Sequence, residues 1–228
     1  MSKGIIKEEY LKDPRLKDFF DGETSDWAKQ KIQEYSKLMA YYKCAMMEIE
    51  TKFNVLNEDY SLKHERNPIS SIKYRLKTPF SIKEKMERKG FPFSLESIEK
   101  NLNDIAGVRV VCSFPHDVYA LADALLSQDD IVLIEKKDYI ANPKKNGYRS
   151  LHLIVSVPIF LAHEKRRMKV EIQLRTIAMD FWATLEHQLY YKKDTTFTTE
   201  MMEELATCAH MSAELDARMD ALRERAQV

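Results

Sequence analysis

The chain has 228 residues, and 36 Lys+Arg balance 36 Asp+Glu, so it carries no formal net charge at neutral pH. A composition that is 44% hydrophobic and 32% charged, with only 5 Gly and 7 Pro, excludes collagen-like, low-complexity and disordered classes, because enough apolar side chain is present to offset chain entropy. No run approaches the ~20 apolar residues that cross a bilayer; the longest, Leu153 to Ala162, is interrupted by Ser156 and Pro158, so no membrane partner is expected. The length fits one domain with helical extensions. The N-terminal MSKGIIKEEYLKDPR is charged from its third residue and has no apolar h-region, which points to the cytoplasm. Three widely spaced cysteines, Cys44, Cys112 and Cys208, form neither a disulfide framework nor a zinc spacing, and buried reduced thiols are expected.

From about Asp26 to Phe53 the apolar positions Trp27, Tyr35, Leu38, Tyr42, Ala45, Ile49 and Phe53 recur at helical steps and predict one long amphipathic helix. A second helix is predicted over Ser81–Arg88, with Ser81 as its N-cap after the Pro79 turn and Gly90 and Pro92 ending it, and a short one follows from Ser94. The period then changes. Ile105–Cys112, Ile131–Glu135, Leu151–Val157 and Val170–Leu174 are short and rich in β-branched residues, which predicts four strands, or five once edges are counted. Helices are predicted over Asp117–Leu126 and Ile177–Tyr191. The result is an α/β (α+β) core flanked by helices: an extension over 1–60, a core over 61–195 and an amphipathic helix over 196–228.

In that last segment Met201, Leu205, Cys208, Ser212, Leu215, Met219 and Leu222 alternate steps of 4 and 3, a heptad seam. The seam fits either a helix lying on its own domain or a contact shared between subunits, and the matching stripe in the N-terminal helix favours the second.

Charge is unevenly spread despite the zero sum. Between Lys73 and Lys89 seven basic residues face two acidic ones, which suits a polyphosphate next to a helix N-terminus, whose free N–H groups and dipole favour an anion; a solvated helix face is the plain alternative. A second basic cluster, Lys136, Lys137, Lys144, Lys145 and Arg149, surrounds the turn Asn142–Tyr148. Two such patches suggest two nucleotides or one nucleic acid. Asp104 immediately precedes a strand and Glu171 lies within one, where an acid is costly unless paired or bound to a metal. Two carboxylates on adjacent strands suit a Mg²⁺-dependent phosphoryl-type transfer, since the hard cation prefers oxygen ligands. Taken alone, Glu171 also fits an exposed strand face, or a salt bridge to Arg175 or Arg109.

Five runs, Tyr74–Arg88, Asp104–Arg109, Lys137–Ile140, Asn142–His152 and Val170–Thr176, resemble in this order the (p)ppGpp synthetase domain of RelA/SpoT homologues. The likeness spans about Pro68 to Lys192, and the flanking helices and short length look like the single-domain small alarmone synthetases, nearer to the RelP than the RelQ type at His64–Pro68 and Met179–Trp182. It implies a nucleotidyltransferase-like mixed sheet and transfer of the β,γ-pyrophosphate of ATP to the 3′-hydroxyl of GDP or GTP, releasing AMP. Arg75 and Arg109 are carried over as the sandwich around adenine, and Lys77, Ser81, Lys83, Lys85 and Arg88 as the holders of the ATP phosphates. Asp104 and Glu171 would bind Mg²⁺, and Glu171 would orient or deprotonate the acceptor hydroxyl. Tyr148 matches the tyrosine that stacks on guanine, and the Asn-Gly turn before it would present the ring outward. Lys137, Lys144 and His152 would meet the acceptor's 5′-phosphates, Gln173 shares the face of Glu171, and Asp180, Glu186 and His187 stand near guanine recognition. Members of this size resemble homotetramers joined through their terminal helices.

His116-Asp117 superficially matches the HD pair of alarmone hydrolases, but reads as a helix N-cap, so synthesis without hydrolysis is expected. Two other classes compete: an RNA-binding regulator using both basic clusters with Tyr148 as a single-strand platform, and a catalytically silent coiled-coil scaffold.

Overall fold

The computed structural model describes residues 26–64, 66–191 and 198–226; the expectations placed on residues 1–25, on the Trp27 side chain and on 192–197 lie outside them. Helix α1 spans Asp26–His64. Its stripe Tyr35, Leu38, Tyr42, Ala45, Ile49 and Phe53 is buried to within 5% exposure, so it belongs to the chain's own core and is not open to a partner. The helix outruns the apolar period by three turns because no breaker occurs before Pro68.

Five strands follow, β1 Ile69–Leu76, β2 Ala106–Cys112, β3 Val132–Asp138, β4 Leu151–Phe160 and β5 Lys165–Thr176, in the order β1-β2-β5-β4-β3. Only the β2–β5 pairing is parallel; β1–β2, β4–β5 and β3–β4 are antiparallel. The mixed, roughly five-stranded sheet with helices around it is the expected architecture. Helices α2 Pro79–Lys89, α3 Leu95–Asn101, α4 Pro115–Leu126, α5 Ile177–Tyr191 and α6 Thr199–Ala226 complete the chain.

The period of two decides which side of the sheet is core. Met168, Val170, Ile172 and Leu174 of β5, Leu151, Leu153, Val155 and Val157 of β4 and Val108, Val110 and Cys112 of β2 join α1, α3 and α4 in one buried cluster. The intervening side chains, Glu171, Gln173, His152 and Arg109 among them, stay half-exposed on the opposite face. That face carries the site.

Four expectations are corrected. Helix α2 starts at Pro79 with Thr78 as N-cap, its hydroxyl oxygen accepting the Ser81 N–H at 3.2 Å, because proline's fixed φ fits the first helical position; Ser81 sits within the first turn. Strand β1 was hidden in the basic run. Cys208 is exposed while Cys112 is buried and Cys44 half-buried. In α6 the domain is met by Leu205, Ala209, Ser212 and Asp216, whereas the heptad residues Met201, Cys208, Leu215, Met219 and Leu222 face outward.

Candidate active site

Strand register assembles the site. Lys73 of β1 pairs with Arg109 of β2, Arg109 with Gln173 of β5, Gln173 with His152 of β4 and His152 with Lys137 of β3. These form one continuous row across all five strands. The next row on the same face runs Arg75, Gly107, Glu171, Ile154 and Glu135. Directly opposed residues share a face and their diagonals are about 7–8 Å apart, so Arg75 and Arg109, diagonal across β1 and β2, are spaced for a flat base between them.

Asp104 stands just before β2. Its Oδ2 accepts Lys77 Nζ at 2.9 Å and Lys85 Nζ at 2.8 Å. Burial works to raise its pKa, but the two lysines outweigh that and hold it below the ordinary carboxylate value. Its Oδ1 is buried with no hydrogen-bond partner among the described residues, a costly state that an oxygen-seeking cation would relieve. Glu171 is close enough that the Asp104 charge acts against its ionisation. Burial raises Glu171 too, yet His152 and Gln173 keep it below its usual value: Gln173 Nε2 donates to Glu171 Oε2 at 3.2 Å, and His152 Nδ1 faces Oε1 at 3.7 Å, in ion-pair range but beyond a hydrogen bond. The alternative of a salt bridge from Glu171 to Arg109 or Arg175 is not met; both arginines go to Asp180. No cluster of three or more His, Cys, Asp or Glu occurs among the described residues, so a cation here would rest on these two carboxylates together with substrate oxygens. Hard oxygen donors of that kind fit Mg²⁺.

Beside Glu171 lies a cavity of about 230 Å³ lined by Glu135, Lys137, Tyr139, Lys144, His152, Ile154 and Glu171. Lys137 pairs with Glu135 at 3.0 Å. Lys144 Nζ sits 4.7 Å from the centroids of both Tyr139 and Tyr148. Tyr148 is not turned outward. Its hydroxyl meets His152 Nε2 at 2.8 Å and Arg175 Nη2 at 2.7 Å, and its side chain packs against the cluster of Trp182, Ala183 and Ala209.

Residues 74–196 match the region found in RelA/SpoT proteins, more than half of the chain. This chain belongs to the RelA/SpoT family. Over 85% of its length it is 40% identical to GTP pyrophosphokinase YwaC of Bacillus subtilis, covering 92% of that protein, and over 86% it is 33% identical to GTP pyrophosphokinase YjbM of the same organism, covering 91%. The fold is similar to crystal structures of the B. subtilis small alarmone synthetase 2 (TM-score 0.76, 38% identity, 84% of this chain and 99% of that one) and of small alarmone synthetase 1 bound to its product pppGpp (TM-score 0.77, 33% identity, 86% and 100%).

Within this RelA/SpoT domain the sequence-predicted residues separate into groups. Lys77 and Lys85 converge on Asp104, while Lys83 is half-exposed and Arg88 lies exposed at the end of α2. Lys137, Lys144 and His152 share the cavity with Glu171. Asp180, 6% exposed, lies on the β1–β2 side of the face: its carboxylate takes Lys73 Nζ at 2.8 Å, Arg109 Nη1 at 3.0 Å and Arg175 Nη1 at 3.2 Å. The first turn of α5 carries it there. Glu186 accepts from Asn146 Nδ2 at 3.2 Å and so steadies the Asn142–Tyr148 turn. Sequence reading missed Tyr139, Glu135 and Arg175. Glu135, Lys137 and Tyr139 alternate, so extending the period of two outward from Lys137 points to the first two; Arg175 was marked only as a possible salt-bridge partner of Glu171.

Proposed function

We propose that this chain is a single-domain GTP pyrophosphokinase that makes ppGpp and pppGpp by moving the β,γ-pyrophosphate of ATP to the 3′-hydroxyl of GDP or GTP, with the catalytic domain over 61–195. The single observation that carries this reading is the pair of ionised, half-buried carboxylates, Asp104 and Glu171, set between an arginine pair spaced for a base and a lysine-lined cavity.

Arg75 and Arg109 hold adenine. Lys77, Lys85, Ser81 and Lys83 lie along the path of the ATP phosphates, and Lys77 and Lys85 exchange their contacts to Asp104 for phosphate oxygens as charge develops. The acceptor base stacks on Tyr148 once Lys144 leaves the ring for the 5′-phosphates, which Lys137 and His152 also meet. Glu171 accepts the hydrogen bond of the 3′-hydroxyl and takes its proton as the O3′–Pβ bond forms and the Pβ–O bond to AMP breaks. Asp104 and Glu171 would hold Mg²⁺, which supplies charge neutralisation on the transferring phosphates.

The reading extends to cytoplasmic work, a RelP-like type and absence of hydrolase activity. It also extends to a homotetramer, supported by the outward apolar residues of α6 rather than by α1. Purified protein given Mg²⁺, ATP and GDP should yield ppGpp and AMP in equal amounts by ion-exchange chromatography, with no later decay of product under Mn²⁺. Product absent with both GDP and GTP refutes the synthetase reading, and product decay refutes the absence of hydrolysis.

A further inference from the structure

Glu171, Gln173 and Arg175 occupy alternate positions of β5 and point to one face. Around them runs a closed ring of polar contacts. Arg175, 4% exposed, donates Nη2 to Tyr148 Oη at 2.7 Å and to Gln173 Oε1 at 3.0 Å. Gln173 passes on through its Nε2 to Glu171 Oε2 at 3.2 Å, and Tyr148 Oη meets His152 Nε2 at 2.8 Å, whose Nδ1 faces Glu171 Oε1 at 3.7 Å.

The two ends fix the direction of the glutamine arm. A guanidinium only donates and an ionised carboxylate only accepts. On the glutamine arm, the oxygen of Gln173 must therefore face Arg175 and its amide nitrogen must face Glu171. On the tyrosine arm, Tyr148 accepts from Arg175; with its own proton given to His152 Nε2, a neutral imidazole carries its proton on Nδ1, toward Glu171, and this is the tautomer the ring requires. Both arms thus turn N–H groups to the two oxygens of Glu171 and fix its plane. The remaining fork of Arg175 goes to Asp180 Oδ1 at 3.2 Å, the same oxygen that takes Arg109 at 3.0 Å.

We propose that Arg175 is a positioning residue for pyrophosphate transfer: it sets the direction of this ring, holds the Glu171 carboxylate and the Tyr148 hydroxyl in place, and ties both through Asp180 to the donor-base arginine Arg109. The inference rests on the synthetase reading for its kinetic part alone. With Nε donating to Ser150 Oγ at 3.5 Å, the planar fork serves four acceptors at once, which a lysine ammonium on a flexible stem does not reproduce. Compensation of the Asp180 charge is a separate service that lysine performs as well.

The test is Arg175→Lys, which keeps the charge and so keeps Asp180 paired. The expected result is a Tm within about 4 °C of wild type, KM for ATP within about threefold and kcat down by about 10–100-fold, the usual effect of losing a residue that orients a reacting group. Because Arg175 acts through Gln173, the double variant Arg175→Lys/Gln173→Met should lose no more than about threefold beyond the worse single variant. Wild-type kcat in Arg175→Lys, or fully multiplicative losses in the double variant, overturns the proposal while leaving the synthetase reading intact. An activity-independent measurement accompanies it: ¹⁵N NMR of histidine-labelled protein at about pH 9, with the His152 signal identified by its loss in His152→Gln. The proton on Nδ1 is the expected result even should the protein make no guanosine product, and a proton on Nε2 overturns the ring's direction.

Discussion

Gly147, in the turn before Tyr148, has φ +87°, and a Cβ added there would lie 2.4 Å from the Cβ of Ala209 on α6. The next neighbours, Ala206 O and Ala209 Cα, are at 3.9 Å, so one methyl group makes the whole conflict. Gly147→Ala therefore meets two separable penalties, about 1–3 kcal/mol for overpacking and about 1–2 kcal/mol for a side chain in left-handed backbone. At about 2–4 °C per kcal/mol for a chain of this size, Tm should fall by at least about 4 °C. Ala209→Gly alone costs about 1 kcal/mol as a glycine within a helix, but in the double variant it removes the overpacking. The two substitutions should therefore be less than additive by about 1–3 kcal/mol in denaturant unfolding. Additivity within about 0.5 kcal/mol would refute the close approach of this turn to α6.

Three further outcomes follow from single contacts. Thr78→Ala removes the cap of α2 and should cost about 1 kcal/mol, read as a lower urea midpoint; an unchanged midpoint would mean the cap bears no weight. Burial raises the pKa of Asp216 above its ordinary value despite Thr176 and Arg149. A raised folded-state acid loses stability as pH climbs through the unfolded carboxylate range, so Asp216→Asn should melt at or above the wild-type temperature at pH 7 and lose that advantage in acid. A lower Tm at pH 7 would contradict this. Asp104 is shifted the other way, held low by Lys85 and Lys77 against burial. Its contribution is present above the ordinary carboxylate range and lost as pH falls through the depressed value, so wild type should lose stability in acid more steeply than Asp104→Asn, and parallel pH curves would refute it.

Much of the fold was legible because burial and period coincide. The stripe of α1 and the strands β2, β4 and β5 carry the core, and each was anticipated within a few residues. The edge strands were less so: β1 presents Lys73, Tyr74 and Arg75 to solvent and was hidden in the basic run, and β3 is exposed on nearly every residue, so its expected span, 131–135, stopped short of its charged end at Asp138. The heptad of α6 was real in spacing, but the domain takes only Leu205 and Ser212 from it and buries the neighbouring positions Ala209 and Asp216. In the site, Asp104 and Glu171 were singled out as acids that strands rarely tolerate and the lysines as basic clusters, and the structure brings Lys77 and Lys85 to Asp104 and Lys137 and Lys144 to the cavity beside Glu171. Arg175 and the inward turn of Tyr148 were not, because their meaning lies in contacts across β5, α5 and the Asn142–Tyr148 turn that no local pattern encodes, and Asp180 was named by resemblance while its partners Lys73, Arg109 and Arg175 come from the fold. Tyr148 in particular is set by a hydrogen bond 27 positions along the chain.

The central claim is pyrophosphate transfer in which Glu171 takes the acceptor proton, and the most direct measurement is transfer of label from γ-labelled ATP to GDP or GTP by wild type and Glu171→Gln side by side in Mg²⁺. The account predicts labelled guanosine tetra- or pentaphosphate with stoichiometric AMP from wild type, and at least about a hundredfold loss in the folded variant. Labelled guanosine product from Glu171→Gln at the wild-type rate, or none from wild type with either acceptor, would contradict it.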